Sequence, residues 1–157
     1  MIAIVAGSGI ALRPLLDTVD VEIPFQVPGA RHLEGHQRVF VRGTSMGRPV
    51  VLQLGRYHAY EGCSLAEVGA PVTMLQGFGV HEVIFTNAVG ALAPQLRPGD
   101  LVGIEQLHAW PFHLWKGGES VTPSHVLPGL DIQGRYWWMH GPCYETRAEI
   151  VALRGVG

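Results

Sequence analysis

The chain has 157 residues, of which 47% are hydrophobic and only 15% charged, and its formal charge is −2. That length suits about one domain with a real core, and the composition excludes a disordered chain. The small net charge excludes a whole-molecule field that would gather nucleic acid or an anionic membrane surface, so neither is expected as a partner.

The first element is Ile2–Ala6, a short continuous apolar run ending at Gly7, which predicts a strand buried on both faces. No basic residue precedes it and glycine interrupts it, so it does not read as a signal peptide, and no apolar run is long enough to span a bilayer. The segment Arg38–Arg42 alternates polar and apolar residues as a half-buried strand does, and Pro49–Leu54 is a further strand after a turn at Gly43–Gly47. Ser64 and Glu67 form a capping box, predicting a helix to about Gly77; Pro71 inside it predicts a kink or a late start. Strands follow at Glu82–Thr86, Leu101–Leu107 and Arg135–His140. The stretch His108–Leu130 has no clear period and reads as a long loop. Thr146 and Glu149 form a second capping box, opening a helix that Gly155 ends. Glycine (21) and proline (11) are abundant without repeating. With no linker, these features predict one α/β domain over residues 1–157, a mixed central sheet with flanking helices. Cys63 and Cys143 fit no disulfide framework and read as reduced thiols of a cytoplasmic protein.

Three loops follow predicted strands, where ligands sit in open α/β sheets. In Gly7-Ser8-Gly9, free amides and a hydroxyl can cradle an oxyanion, although a tight turn is the plainer reading. In Gly55-Arg56-Tyr57-His58-Ala59-Tyr60-Glu61-Gly62, Arg56, His58 and Tyr60 alternate and fall on one side of an extended segment. Arginine offers a planar fork to phosphate oxygens and histidine adds a donor; the alternative is a surface loop with a salt bridge. Thr86-Asn87-Ala88-Val89-Gly90-Ala91 offers amides and close approach, or merely an Asx-type turn. A fourth segment, Gly141-Pro142-Cys143-Tyr144-Glu145-Thr146, sets a ring and a carboxylate before a helix N-terminus. Glu145 there either caps the helix or bonds a base edge, with Tyr144 stacking on the ring. His108, His113, His125 and His140 are too scattered to argue a zinc site, so no metal is expected.

Taken in order, G-S-G, G-R-Y-H-A-Y-E-G, T-N-A-V-G-A-L, P-G-D-L and G-P-C-Y-E-T-R-A-E resemble the trimeric type of the purine nucleoside phosphorylases, a family related to methylthioadenosine phosphorylase. The resemblance implies phosphate-dependent cleavage of the N-glycosidic bond of purine nucleosides, giving free base and pentose 1-phosphate. It implies inorganic phosphate as co-substrate, no further cofactor, and a homo-oligomer, a trimer in that family. By matching position, Ser8, Arg56, His58 and the Ala88 backbone would hold phosphate, and Tyr60 would contact the pentose. Tyr144 and Glu145 would bind the base, and His58, Glu61 and Glu145 would be the catalytic groups.

The pattern also departs from the family. Segments that normally follow the last helix, with pentose and purine contacts, are expected to be absent, and the stretch between Asp100 and Gly141 is short. Ala11 and Ala91 stand where the family has glycine, and their methyls are expected to crowd the backbone. The alternative to an active enzyme is a catalytically weak or inactive remnant that binds phosphate, nucleoside or a partner chain. The tryptophans, all within Trp110–Trp138, are candidates for a subunit contact.

Overall fold

The computed structural model describes residues 1–7, 9–30, 38–109, 122–123, 125 and 127–156. They form two compact units, Met1–Val89 and Gly90–Gly157.

The first unit is built on a five-stranded sheet. Its strands are β1 (Ile2–Val5), β2 (Thr18–Pro24), β3 (Val39–Ser45), β4 (Arg48–Leu54) and β5 (Glu82–Phe85), in the order β2-β3-β4-β1-β5. β1 runs parallel to both β4 and β5, while β3 is antiparallel to β2 and β4, so the sheet is mixed as expected. The turn between β3 and β4 is tighter than the predicted one. Ser45 pairs with Arg48, and Met46 and Gly47 carry φ of 50° and 71°, the two left-handed residues of a short hairpin loop. β2 was not among the predicted strands. It lies at the sheet edge and every one of its residues is exposed.

Alternation along the strands divides the core between the sheet's two faces. Ala3, Val5, Phe40 and Val51 pack on one face with Phe25, Tyr57, Cys63 and Leu75; Ala6, Val39, Val41, Val50 and Leu52 pack on the other with Leu12. Each fully buried leucine or valine here contributes about 1.5–3 kcal/mol. Helix α1 (Leu65–Gln76) covers the first face through Leu75, itself fully buried. It starts where the capping box sets it, with the Ser64 hydroxyl accepting from the Glu67 amide and the Glu67 carboxylate accepting from the Ser64 amide. Pro71 does not delay the start; it lies inside the helix and is buried.

The second unit contains β6 (Val102–Ala109) and β7 (Ile132–Trp138), paired in parallel, and α2 (Arg147–Gly155). β6 extends through His108, which the sequence placed in the loop: His108 pairs with Trp137 of β7 and its ring stacks on that indole with centroids 4.7 Å apart. β7 begins at Ile132, before the predicted Arg135. The second capping box forms as predicted, Thr146 with Glu149, and Leu153 is the buried residue of α2. Most of the predicted long loop, including Trp110, His113 and Trp115, lies outside the described residues.

Candidate functional site

Three strand ends define the site. β4, β1 and β5 are adjacent and parallel, with Val5 of β1 in register with Gln53 of β4 and with Phe85 of β5. The segments beginning at Gly7, Gly55 and Thr86 therefore leave the same edge of the sheet at the same level. The exits are tied together: the Ala6 amide donates to the Gln53 carbonyl at 2.9 Å and the Thr86 amide to the Val5 carbonyl at 3.0 Å. The Gly7 amide donates to Thr86 Oγ1 at 3.2 Å, and that hydroxyl donates to the Val5 carbonyl at 2.9 Å. Gly7 must be glycine, because a Cβ there would stand 2.5 Å from Asn87 Cα and 2.6 Å from the Thr86 carbonyl oxygen.

Of the residues expected to hold phosphate, Arg56, His58 and Ala88 lie on these exits. Arg56 and His58 are partly buried and Ala88 is exposed. Ser8 lies outside the described residues. The chain is extended at His58 (φ −125°, ψ 146°) and then enters a single 3-10 turn at Ala59–Glu61. Tyr60 is therefore not part of an extended segment. The turn folds it back so that its ring stacks on His58, with centroids 4.8 Å apart. Tyr60 remains 43% exposed and open to a ligand.

The same turn carries Glu61 inward, where its side chain is almost fully buried. His58 Nδ1 lies 2.8 Å from Glu61 Oε1, within hydrogen-bond distance, and Arg38 Nη2 donates to Glu61 Oε2 at 3.0 Å. Both carboxylate oxygens thus have a polar partner, as a buried carboxylate requires. Arg38 was read from sequence as the polar position of a half-buried strand. Instead Val39, Phe40 and Val41 are all buried, and Arg38, just before β3, is buried with them. Its guanidinium lies 4.0 Å from the Tyr57 ring centroid and Nε donates to the Arg56 carbonyl at 3.4 Å. Tyr57 is fixed in turn, its hydroxyl accepting from the Val27 amide at 3.0 Å.

Tyr144 and Glu145 belong to the second unit. They precede Thr146, the N-cap of α2; Tyr144 is almost wholly exposed and Glu145 partly so. The helix-capping carboxylate is Glu149, accepting from the Thr146 amide at 2.7 Å, so the N-cap of α2 is satisfied without Glu145. Ala11 and Ala91 are both exposed. Among the described residues no group of three or more His, Cys, Asp and Glu gathers as a metal site would, and no helix is long and apolar enough to cross a membrane.

The structure is thus that of an α/β protein in which an arginine, a histidine and loop backbone leave the carboxyl ends of adjacent parallel strands, the place where open α/β sheets carry their ligands. Residues 1–122 match the family model of the phosphorylase superfamily. Purine nucleoside phosphorylase 1 of Geobacillus stearothermophilus is 30% identical over an alignment covering 99% of this chain and 66% of that protein. Purine nucleoside phosphorylase 1 of Bacillus subtilis (strain 168) is also 30% identical, with 99% and 67% covered. Among solved structures, a purine nucleoside phosphorylase in complex with ribose-1-phosphate superposes with a TM-score of 0.80 at 29% identity, covering 99% of this chain and 69% of that one. The Schistosoma mansoni enzyme in complex with inosine superposes with a TM-score of 0.79 at 29% identity, covering 99% and 65%. The chain belongs to the purine nucleoside phosphorylase family of the phosphorylase superfamily. It spans about two thirds of the length of the two bacterial relatives, 66% of the Geobacillus protein and 67% of the Bacillus one.

Proposed function

We propose that the protein is a purine nucleoside phosphorylase, a pentosyltransferase in which inorganic phosphate attacks C1′ of a purine nucleoside and the free base departs, leaving pentose 1-phosphate. The observation that carries this reading is the convergence of the Gly7, Arg56–His58 and Thr86–Ala88 segments on one edge of the sheet.

Phosphate is held by the Arg56 fork, by His58, and by backbone donors of the Ser8 and Ala88 loops. A phosphate fixed beneath the sugar acts twice. It is the positioned nucleophile, and its negative charge stabilises the oxocarbenium character that develops at C1′. Glu61 holds the His58 ring in place, and Tyr60, stacked on His58 and still open on its other side, contacts the pentose. Tyr144 stacks on the purine and Glu145 accepts from its edge. The partners are purine nucleoside and phosphate, and no further cofactor enters. The working form is a homo-oligomer, a trimer by resemblance to the family, and the compartment is the cytoplasm.

The test is hypoxanthine release from inosine at saturating phosphate, paired with calorimetric titration of phosphate. Arg56→Ala is expected to weaken phosphate binding by roughly 10- to 100-fold, the worth of a charge-assisted contact. Equal phosphate affinity in wild type and Arg56→Ala would overturn the site, and wild type that releases no base would overturn the activity.

A further inference from the structure

Arg38 belongs to none of the motifs, yet its side chain is 2% exposed and held from three directions, by Glu61, the Tyr57 ring and the Arg56 carbonyl. Its Nη1 is buried with no hydrogen-bond partner among the described residues. Burying an ion pair gains little stability, because desolvation offsets the attraction, and an unpaired buried donor adds a further cost. Stability alone is therefore a poor account of this arginine.

Hydrogen-bond polarity gives a better one. A guanidinium only donates and an ionised carboxylate only accepts. Arg38 takes Oε2 of Glu61 and Oε1 faces His58 Nδ1, where an ionised oxygen can only accept. The proton of a neutral His58 ring must then sit on Nδ1, and Nε2 is left as the lone-pair nitrogen, or as a second donor when the ring is an imidazolium. The ring meets the Glu61 carboxylate and the stacked Tyr60 ring, and Arg38 reaches it through Glu61.

We propose that Arg38 is a positioning residue for His58: it anchors the Glu61 carboxylate against the ring, and that carboxylate assigns the ring proton to Nδ1 and makes Nε2 the nitrogen that meets phosphate. This rests on the phosphate role of His58 proposed above.

The nearly isosteric change Glu61→Gln tests it. An amide has one accepting oxygen and one donating nitrogen. Arg38, able only to donate, takes the oxygen, and the NH₂ is turned toward His58 Nδ1. That nitrogen can accept only if the ring proton moves to Nε2. Nitrogen-15 NMR of the full chain, with His58 assigned through His58→Gln, reads the proton directly at a pH where the imidazole is neutral. Wild type without phosphate is expected to be protonated on Nδ1, Glu61→Gln on Nε2, and the double variant Glu61→Gln with Arg38→Met on Nδ1 again, since the amide is then free to turn over. A wild-type ring protonated on Nε2 overturns the proposal. So does Glu61→Gln that keeps the proton on Nδ1, or a folded double variant that keeps it on Nε2. If the double variant loses its amide dispersion, wild type and the single variant still decide. Phosphate titration of the same samples reads the other question: wild type that binds no phosphate removes the role of the site, while the tautomers still report whether Arg38 orients Glu61.

Discussion

At Gly7 the first loop and the third meet backbone to backbone, with no flexible side chain between them to yield. Gly7→Ala is expected to force the β1 and β5 exits apart, costing about 1–3 kcal/mol as overpacking does, and to weaken phosphate binding with it. Urea unfolding and phosphate titration measure both, and Gly90→Ala, where an added Cβ meets nothing within 4 Å, is the control. Unchanged stability in Gly7→Ala would show that the loops are not held at this contact. Legibility at this scale depended on sequence distance. Arg56, His58, Tyr60 and Glu61 could be picked out because they lie together in one motif whose chemistry is local. Arg38 escaped because its ionic partner is 23 residues away and its neighbours mimic an alternating strand. Nothing local marks an arginine whose meaning is supplied by a turn elsewhere in the chain.

Among the elements, the two helices were the most readable, because a capping box is a local device. Each carboxylate accepts from its N-cap hydroxyl and amide, and these bonds, the hydroxyl's first, hold Glu67 and Glu149 below the ordinary glutamate value. A carboxyl with a lowered folded-state value contributes stability that is complete above its unfolded value and lost as pH falls through the folded one. Glu149→Gln should therefore melt below wild type at neutral pH, followed by circular dichroism. The gap should close as pH falls through and below the glutamate range; a gap that persisted in acid would exclude the carboxylate as its source. Ser64→Ala should cost about 1 kcal/mol at any pH where the cap forms. Strand β2 was missed although Val19, Val21 and Ile23 do alternate with Asp20 and Glu22. All of these side chains are exposed at the sheet edge, so the alternation carries no burial with it. What holds the strand is its pairing to β3, which is not a local signal; the exposed Arg13–Glu22 ion pair adds little.

For the molecule as a whole, the α/β class was legible because the buried parallel strand Ile2–Val5 announces itself as an unbroken apolar run. Oligomerisation was inferred from resemblance, and the structure adds a physical motive. The edge strand β2 exposes Val19 at 52%, Val21 at 42% and Ile23 at 37%, and its outer backbone groups have no strand beside them among the described residues. An apolar, unpaired edge invites cover by another chain. Multi-angle light scattering is expected to give three times the chain mass of 17.0 kDa. A monodisperse monomer at high concentration would remove the trimer from the reading.

The common register of β4, β1 and β5 has a consequence for how this chain tolerates changes of length. The strands act as a ruler whose zero mark is shared. Deleting one residue between Glu82 and Phe85 would turn every later side chain of that strand to the opposite face, and Thr86 would no longer present its hydroxyl to Gly7 and Val5. Added residues at the Met46–Gly47 tip would cost little more than the slow logarithm of loop closure, because that hairpin turns back from the level at which β4 begins. Length changes are therefore cheap at the hairpin tip that precedes β4 and ruinous within β5, although both strands pair with β1 in the same sheet.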